Sequence, residues 1–325
     1  MNSFGRIFKI SLYGESHGSG LGVLIDSCPP GLNLSEEDFT KDILRRKSGA
    51  KGTTPRIESD QVQILNGIYE GKTTGAPLHL YFSNQNIRSK DYSKFKSQPR
   101  PGHADYTSRI KYKGYNDPNG GGQFSGRMTL PIVAAGVVAK KILNESDFEA
   151  KLIEAGGNNN IDEALDLAIS QEDSIGGIVE CRINSVPSGI GEPFFDSIES
   201  LISHLMFSIP AVKGIEFGSG FSATKMKGSE HNDPLIDESG KTQSNNAGGI
   251  SGGLSNGNEL VFRVAVKPTS SISKTQKTLN IDTGEVEDLK VTGRHDVCIA
   301  LRFPVIVEAV AAIVLADLFL TNKKW

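Results

Sequence analysis

Glycine is the feature that most constrains this chain. It occupies 36 of 325 positions, more than one in ten, against an average usage of about 7%. Such an excess fits disorder when it sits in a low-complexity tract. Here the glycines fall between periodic apolar segments, so they read as ordered turns, some of them lining a ligand. Hydrophobic residues make up 37% of the chain, enough to bury a sizeable core. The formal net charge of −3, with 22% charged residues, argues against a nucleic-acid-binding surface. A local basic pocket is still allowed.

The segments between the glycines divide into strands and helices. Arg6–Tyr13, Leu21–Ser27, Val62–Tyr69, Leu78–Phe82, Gly177–Ile183, Gly214–Ala223 and Leu260–Val266 are short, apolar or alternating, and bounded by Gly, Pro, Asn or Ser, the pattern of strands. Most neighbours are joined too closely for a parallel crossover, so antiparallel sheets are expected. Ser35, with Asp38 three residues on, marks the start of a helix running through Leu44. Leu130–Leu143 is apolar on all faces, Ile161–Ile169 and Ile198–Phe207 are amphipathic, and Pro304 precedes a last apolar stretch, Val305–Leu320. That stretch carries Glu308 and Asp317 and is too short to span a bilayer, so it reads as a buried helix. Two nearly all-apolar helices imply a helical layer covered on both sides.

Leu21-Gly22-Val23-Leu24-Ile25 leading to Pro30-Gly31-Leu32 is echoed by Ile175-Gly176-Gly177-Ile178-Val179 leading to Pro187-Ser188-Gly189-Ile190. The echo fits either chance or two similar halves of one domain over residues 1–325. Cys28, Cys181 and Cys298 are sparse and odd in number, which gives neither a disulfide framework nor zinc spacing. Met1–Tyr13 lacks the apolar core of a signal peptide. A cytoplasmic protein without membrane or nucleic-acid partners is the expectation.

Several glycine-framed motifs could carry chemistry. Gly14-Glu15-Ser16-His17-Gly18 places a carboxylate, a hydroxyl and an imidazole on a sharp turn after a strand. His17 is there either as a proton donor or as part of a hydrogen-bonded turn. His103, in Pro101-Gly102-His103-Ala104-Asp105, carries the same two readings, with Asp105 able to orient the ring. The run Asn119-Gly120-Gly121-Gly122-Gln123-Phe124-Ser125-Gly126-Arg127 leads into a helix, and backbone N–H groups at such a start favour an anion. It lacks the Lys-Ser/Thr ending of a nucleotide P-loop. Arg45, Arg46, Lys47, Lys51 and Arg56 form a cationic cluster that fits either helix capping or anion binding. Asn245–Gly253, Lys267-Pro268-Thr269-Ser270-Ser271 and Gly293-Arg294-His295-Asp296 complete the set. Together these motifs describe a pocket for a highly anionic ligand, worked by proton donors without a metal. Residues alone name neither the reaction nor a cofactor, and a metal hydrolase fits them poorly.

The motifs, in their order and spacing, resemble the chorismate synthase family over essentially the whole chain. Besides those above, the resemblance rests on Thr54-Pro55-Arg56, Gly67–Pro77 (GIYEGKTTGAP), Arg100–Thr107 and Ser208–Gly214. It implies an α+β fold, a β-α-β sandwich with a helical core between two antiparallel sheets, in a homotetramer. It implies loss of phosphate and a ring proton from 5-enolpyruvylshikimate 3-phosphate by 1,4-anti elimination, giving chorismate. Reduced FMN is required and not consumed.

The resemblance also implies roles for residues. His17 would protonate or bind the departing phosphate. His103 would stabilise the reduced flavin, and Asp296 would lie near its N5 and assist proton removal. Ser16, Arg45, Arg46, Arg100, Arg127 and Arg294 would hold the substrate, Arg294 also touching flavin. Flavin contacts would come from Gln123, Phe124, Ser125, Pro210, Ala211, Gly252, Lys267, Pro268, Thr269, Ser270 and Ser271. The chain departs from the family at Gln123–Thr129, where the common form is Arg-Ser-Ser-Ala-Arg-Glu-Thr. It departs again at Gly52, beside Lys51, where a basic position is linked to NADPH. A form that takes reduced flavin from an external source is therefore expected, with NADPH used only if the enzyme is bifunctional.

Overall fold

Alternating apolar residues build two antiparallel sheets in a computed structural model that describes residues 2–54, 59–85, 94–291 and 295–323. The first sheet uses β1 (Ser3–Phe4), β2 (Lys9–Gly14), β3 (Gly20–Asp26), β4 (Gln63–Asn66) and β5 (Leu78–Ser83), side by side as β1-β2-β3-β5-β4. The second uses β6 (Asp147–Ala155), β7 (Gly177–Asn184), β8 (Val212–Phe217) and β9 (Leu260–Val266), in the order β8-β9-β7-β6. On β3 and β5 the inward residues Leu21, Val23 and Ile25 lie opposite Phe82, Leu80 and Leu78, all fully buried. Each such side chain contributes about 1.5–3 kcal/mol of burial.

The helices are α1 (Thr40–Arg46), α2 (Asp105–Lys111), α3 (Thr129–Ile142), α4 (Ile161–Ser170), α5 (Ile198–Met206) and α6 (Phe303–Asn322). Helix α3 packs on β3 and β5, α6 packs on β6 and β7, and the two helices pack on each other. Their approach is close because residue 136 is glycine: a Cβ there would sit 2.4 Å from the Ala309 Cβ. One hydrophobic cluster draws side chains from both sheets and both helices. The apolar stretch at 305–320 is part of a longer helix than its composition indicated. By length and hydropathy that helix is capable of crossing a membrane, yet it lies almost entirely inside the protein. Its two carboxylates are both satisfied. Asp317 accepts the amides of Arg6, Ile7 and Phe8 at 2.6–3.0 Å, and Glu308 is discussed below.

The two sheets share one chain path. Leaving out the edge strand β1, each has two paired strands (interrupted by α4 in the second sheet), then a helix, α1 or α5, then two more strands that give the order first-second-fourth-third, and a buried helix, α3 or α6, after them. Strands β3 and β7, which hold the echoed sequences, occupy the same place in this path. The long connections from β5 to α3 and from β9 to α6 are also equivalent, and they hold most of the polar motifs.

Several strands differ from the sequence pattern: the one expected at Arg6–Tyr13 begins at Lys9, and three others differ for a clear reason. Val62–Tyr69 breaks at Gly67, whose φ is +93° and whose Cβ would meet Leu78 Cα at 2.8 Å. Strand β8 stops at Phe217, because Gly218 turns back with φ +55° against Asn246. Strand β6 escaped the pattern because it is a sheet edge carrying Asp147, Glu149, Lys151 and Glu154, and charge is how exposed edges avoid mispairing.

Candidate active site

The glycine run at 120–122 holds two histidines apart. All three glycines have positive φ, which lets the backbone pass where a side chain would collide. A Cβ on Gly120 would lie 2.5 Å from His17 Cδ2 and 2.9 Å from Ser16 Oγ. A Cβ on Gly121 would lie 3.3 Å from His103 Cε1. The turn bearing His17 is tied down by Ser16 N–H to Gly122 O (3.2 Å) and by Asn84 Nδ2 to the carbonyls of Glu15 and Gly18 (3.0 and 2.8 Å). Ser16 and His17 are both buried.

On one side of this run is a cavity of about 260 Å³ rich in cations. Its lining includes Ser16, Arg46, Asp60, Arg127, Asp296 and Arg302. Arg46, at the end of α1, donates Nε to Thr129 Oγ1 (2.9 Å) and Nη2 to Gly126 O (3.0 Å). Burial, and then the charge of Arg302, push its guanidinium down to about 9, so it stays charged at neutral pH. Arg127 donates Nε to Asn84 Oδ1 (2.7 Å) and Nη1 to Asp60 Oδ1 (2.9 Å). Its Nη2 is buried without a hydrogen-bond partner among the described residues, a condition that costs about 1–3 kcal/mol or more for a charged group. Asp296 accepts Thr54 N–H at 2.9 Å and Arg302 Nη1 at 3.4 Å. Among the described residues lining it, Arg46, Lys47, Arg127 and Arg302 outnumber Asp60 and Asp296, leaving the cavity cationic.

On the other side, His103 lines a second cavity of about 380 Å³ with Asp105, Asn116, Asp117 and Gly121. Its Nδ1 lies 2.6 Å from Asp105 Oδ1 and 3.1 Å from Arg100 Nη2. A guanidinium only donates, so the shorter contact to the carboxylate assigns the Nδ1 proton. This leaves Nε2 toward Gly121. Burial would raise the Asp105 carboxyl, but hydrogen bonds from Arg100 and then His103 outweigh it and hold the group well below the usual carboxylate range. Arg100 is consumed by this arrangement: it also donates to Ser271 Oγ (3.2 Å) and lies over the Phe95 ring. Lys267 Nζ clasps the preceding turn through Gly102 O (2.7 Å) and Ser270 Oγ (2.8 Å).

The expected residues thus separate. Ser16, Arg46, Ser125, Arg127, Pro210, Thr269, Ser271 and Asp296 line the cationic cavity. His103 lines its neighbour, and His17 lies buried at the run between them. Arg45 lines neither: its guanidinium grips Glu308 at 2.6 and 2.7 Å. Gln123 lines a smaller cavity with Phe4, Leu12 and Met128, Phe124 stacks obliquely on Tyr112, and Gly252 turns a hairpin with nothing near its Cα hydrogens. Ala211, next to Pro210, has a φ of +77°, strained for a non-glycine residue, and its carbonyl accepts Lys267 N–H at 2.9 Å. Pro268 packs against Gly176. Arg56 and Arg294 lie outside the described residues. Asp60, Asn84 and Arg302 were not singled out by the sequence. Only Arg302 left a trace there, as a lone charge at the head of an apolar stretch.

The pattern of the chorismate synthase family matches residues 8–320. The chorismate synthase of Chitinophaga pinensis is 58% identical over 325 residues, covering 100% of this chain and 98% of the relative. That of Methanocaldococcus jannaschii is 42% identical, covering 98% and 96%. A crystal structure of chorismate synthase superposes with a TM-score of 0.75 at 26% identity, covering 98% of this chain and 93% of that one.

Proposed function

The chain belongs to the chorismate synthase family, and on that premise we propose how its own residues divide the work. The reaction is the elimination of phosphate and a ring proton from 5-enolpyruvylshikimate 3-phosphate to give chorismate, a lyase step of the shikimate pathway.

The cationic cavity holds the substrate. The observation that carries this is the unpartnered Arg127 Nη2, buried beside Arg46 and Arg302, where cations outnumber carboxylates. A substrate with one phosphate and two carboxylates supplies the missing acceptors, and forked guanidinium groups suit them. His17, fixed by Gly120 and next to Ser16, donates to the leaving phosphate. Asp296, held by Thr54 N–H and Arg302, assists removal of the ring proton. Arg45 and Arg100 act at one remove, Arg45 by anchoring α1 and Arg100 by holding Asp105 and Ser271.

Reduced FMN fits the second cavity and its border. The donors lining it, His103, Lys96 and Arg109, with the Lys267–Ser270 clasp on the adjoining Gly102 turn, suit an electron-rich anionic group, while Ser271 and Pro210 reach the border from the cationic cavity. When bound, reduced FMN supplies electron density to the breaking C–O bond. His103 then offers Nε2 to it, with Nδ1 fixed by Asp105. Gly52 supports an external source of reduced flavin. Its φ is +81°, a Cβ would press on the Leu165 side chain at 2.8 Å, and its carbonyl accepts the amides of Val297 and Cys298, so a basic side chain for NADPH would be strained at that position.

The finer architecture follows the same reading. The α3–α6 pair, contacting one sheet on each side, fits a β-α-β sandwich, and the shared chain path fits one domain of two similar halves. Exposed Phe194, Phe195 and Phe221 fit assembly into a homotetramer, and three buried free cysteines fit a cytoplasmic setting.

Anaerobic phosphate release from 5-enolpyruvylshikimate 3-phosphate with reduced FMN tests the assignment. Wild type should turn over without consuming flavin, and His17→Ala and His103→Ala should lose turnover far more than flavin affinity. Near-wild-type turnover by both variants contradicts the division of roles.

A further inference from the structure

Asp60 sits where an anion belongs. Its carboxylate lies between two of the substrate arginines, Oδ1 at 2.9 Å from Arg127 Nη1 and Oδ2 at 3.8 Å from Arg46 Nη1. Asp60 is 5% exposed and holds a φ of +47°. Aspartate tolerates that region better than most residues but still at a cost, so the surroundings impose the conformation. The two arginines come from separate elements, the end of α1 and the entry to α3. Arg46 Nη2 reaches the Arg127 carbonyl at 3.4 Å, and the acidic group that the two guanidinium groups share is this carboxylate.

We propose that Asp60 is an internal counter-ion that occupies the Arg46–Arg127 pair between turnovers and yields it to the phosphate of the substrate. The proposal rests on the reading of this cavity as the anion site. Without Asp60, the Arg46, Arg127 and Arg302 guanidinium groups would have Asp296 as their one carboxylate among the described lining residues, and their repulsion would splay them. With it they stay oriented, and the cavity keeps a modest positive excess. A phosphate entering on Arg127 Nη2 brings more charge and more acceptor oxygens than Asp60 and displaces it. When phosphate leaves as product, Asp60 returns and prevents the site from holding its own product tightly. Asp60 is thus a positioning residue that also sets how weakly the site binds free phosphate.

Calorimetric titration of the full-length protein with inorganic phosphate distinguishes this from a structural role. Asp60→Asn should bind phosphate about tenfold tighter than wild type, with kcat lowered by slow product release and KM lowered as well. Asp60→Glu should return phosphate affinity to within threefold of wild type. A merely structural aspartate predicts the reverse sign, because disordered arginines bind phosphate more weakly. Phosphate binding by Asp60→Asn that is less than twofold tighter, or weaker, overturns the proposal. Should Asp60→Asn fail to fold, a wild-type crystal soaked in phosphate decides. The Asp60–Arg127 contact should open with phosphate bound, and an unchanged contact overturns the proposal. Arg127→Lys separates the two levels of the argument. If it binds phosphate as wild type does, the reading of the cavity fails. If it loses phosphate while Asp60→Asn also loses it, only the counter-ion role fails.

Discussion

Arg45 and Arg46 are adjacent in sequence and end in two ionic clusters of opposite character, Arg45 with 36% of its side chain exposed and Arg46 buried. Around Arg45 the cluster is closed. Glu308 receives Arg45 twice, Lys140 Nζ at 2.8 Å and the Ala150 amide at 2.9 Å, while Asp42 receives Lys140 at 2.7 Å. Two cations meet two carboxylates, and the cluster ties together α1, α3, α6 and β6. Around Arg46 the cluster is open. Among the described residues Arg46, Lys47, Arg127 and Arg302 outnumber Asp60 and Asp296, the buried Arg127 Nη2 lacks an acceptor, and a cavity adjoins them. The difference teaches that burial and pairing do not mark a functional charge. Incomplete pairing beside a cavity is the better marker, because its spare donors suit a ligand of defined charge.

The comparison breaks if the closed cluster proves functional or the open one structural. The largest effect is expected at Glu308→Ala, which leaves Arg45 and Lys140 with Asp42 alone and the buried Ala150 amide without its acceptor. Unfolding free energy should fall by about 3–5 kcal/mol, read from denaturant curves, while kcat of the folded fraction changes little. Arg127→Lys should do the opposite. It keeps a charge for Asp60 but loses the fork, so kcat/KM should fall on the order of 10³-fold with a melting temperature near that of wild type. Gly120→Ala comes next. Its Cβ must displace His17 from a backbone that disfavours any side chain, so turnover should drop on the order of 10²-fold, measured under saturating substrate and flavin.

Asp105→Asn is the smallest change and sharpens the third charged group, Arg100–Asp105–His103. Turnover should fall about tenfold, as His103 loses the partner that fixes its tautomer. Because the Asp105 carboxyl is depressed in the folded protein, its stabilising contribution is present above the ordinary carboxylate range, near about pH 4. It is lost as pH falls from there toward the lower folded value. Acid unfolding of Asp105→Asn should therefore lack that part of the pH dependence, read as a shallower loss of stability below about pH 4.

Much of this was legible in the sequence where local chemistry decides. The inward alternation of β3 and β5, the all-apolar α3 and α6, and the glycine run as a helix-start motif are patterns of neighbouring residues. The α3, α4 and α5 boundaries agree with the pattern within a residue. What the pattern missed depends on long-range geometry. Nothing in Arg45-Arg46 says which side chain faces Glu308, 263 positions away, and which faces the cavity. Asp60 and Asn84 look like ordinary loop residues until Arg127 is placed between them. The Asn245–Gly253 run resembled the first glycine run, yet Gly248 and Gly249 serve close packing against Gly218 and Glu259. Glycine spacing alone does not separate a ligand-facing backbone from a crowded one.

The neighbouring arginines provide the most direct test. Titration of 5-enolpyruvylshikimate 3-phosphate into Arg45→Lys and Arg46→Lys, with FMN present, measures substrate affinity at each. Arg46→Lys should weaken binding at least tenfold, and Arg45→Lys should stay within about threefold of wild type because its charge remains in a closed cluster. Equal weakening by the two variants, or greater weakening by Arg45→Lys, would contradict the account.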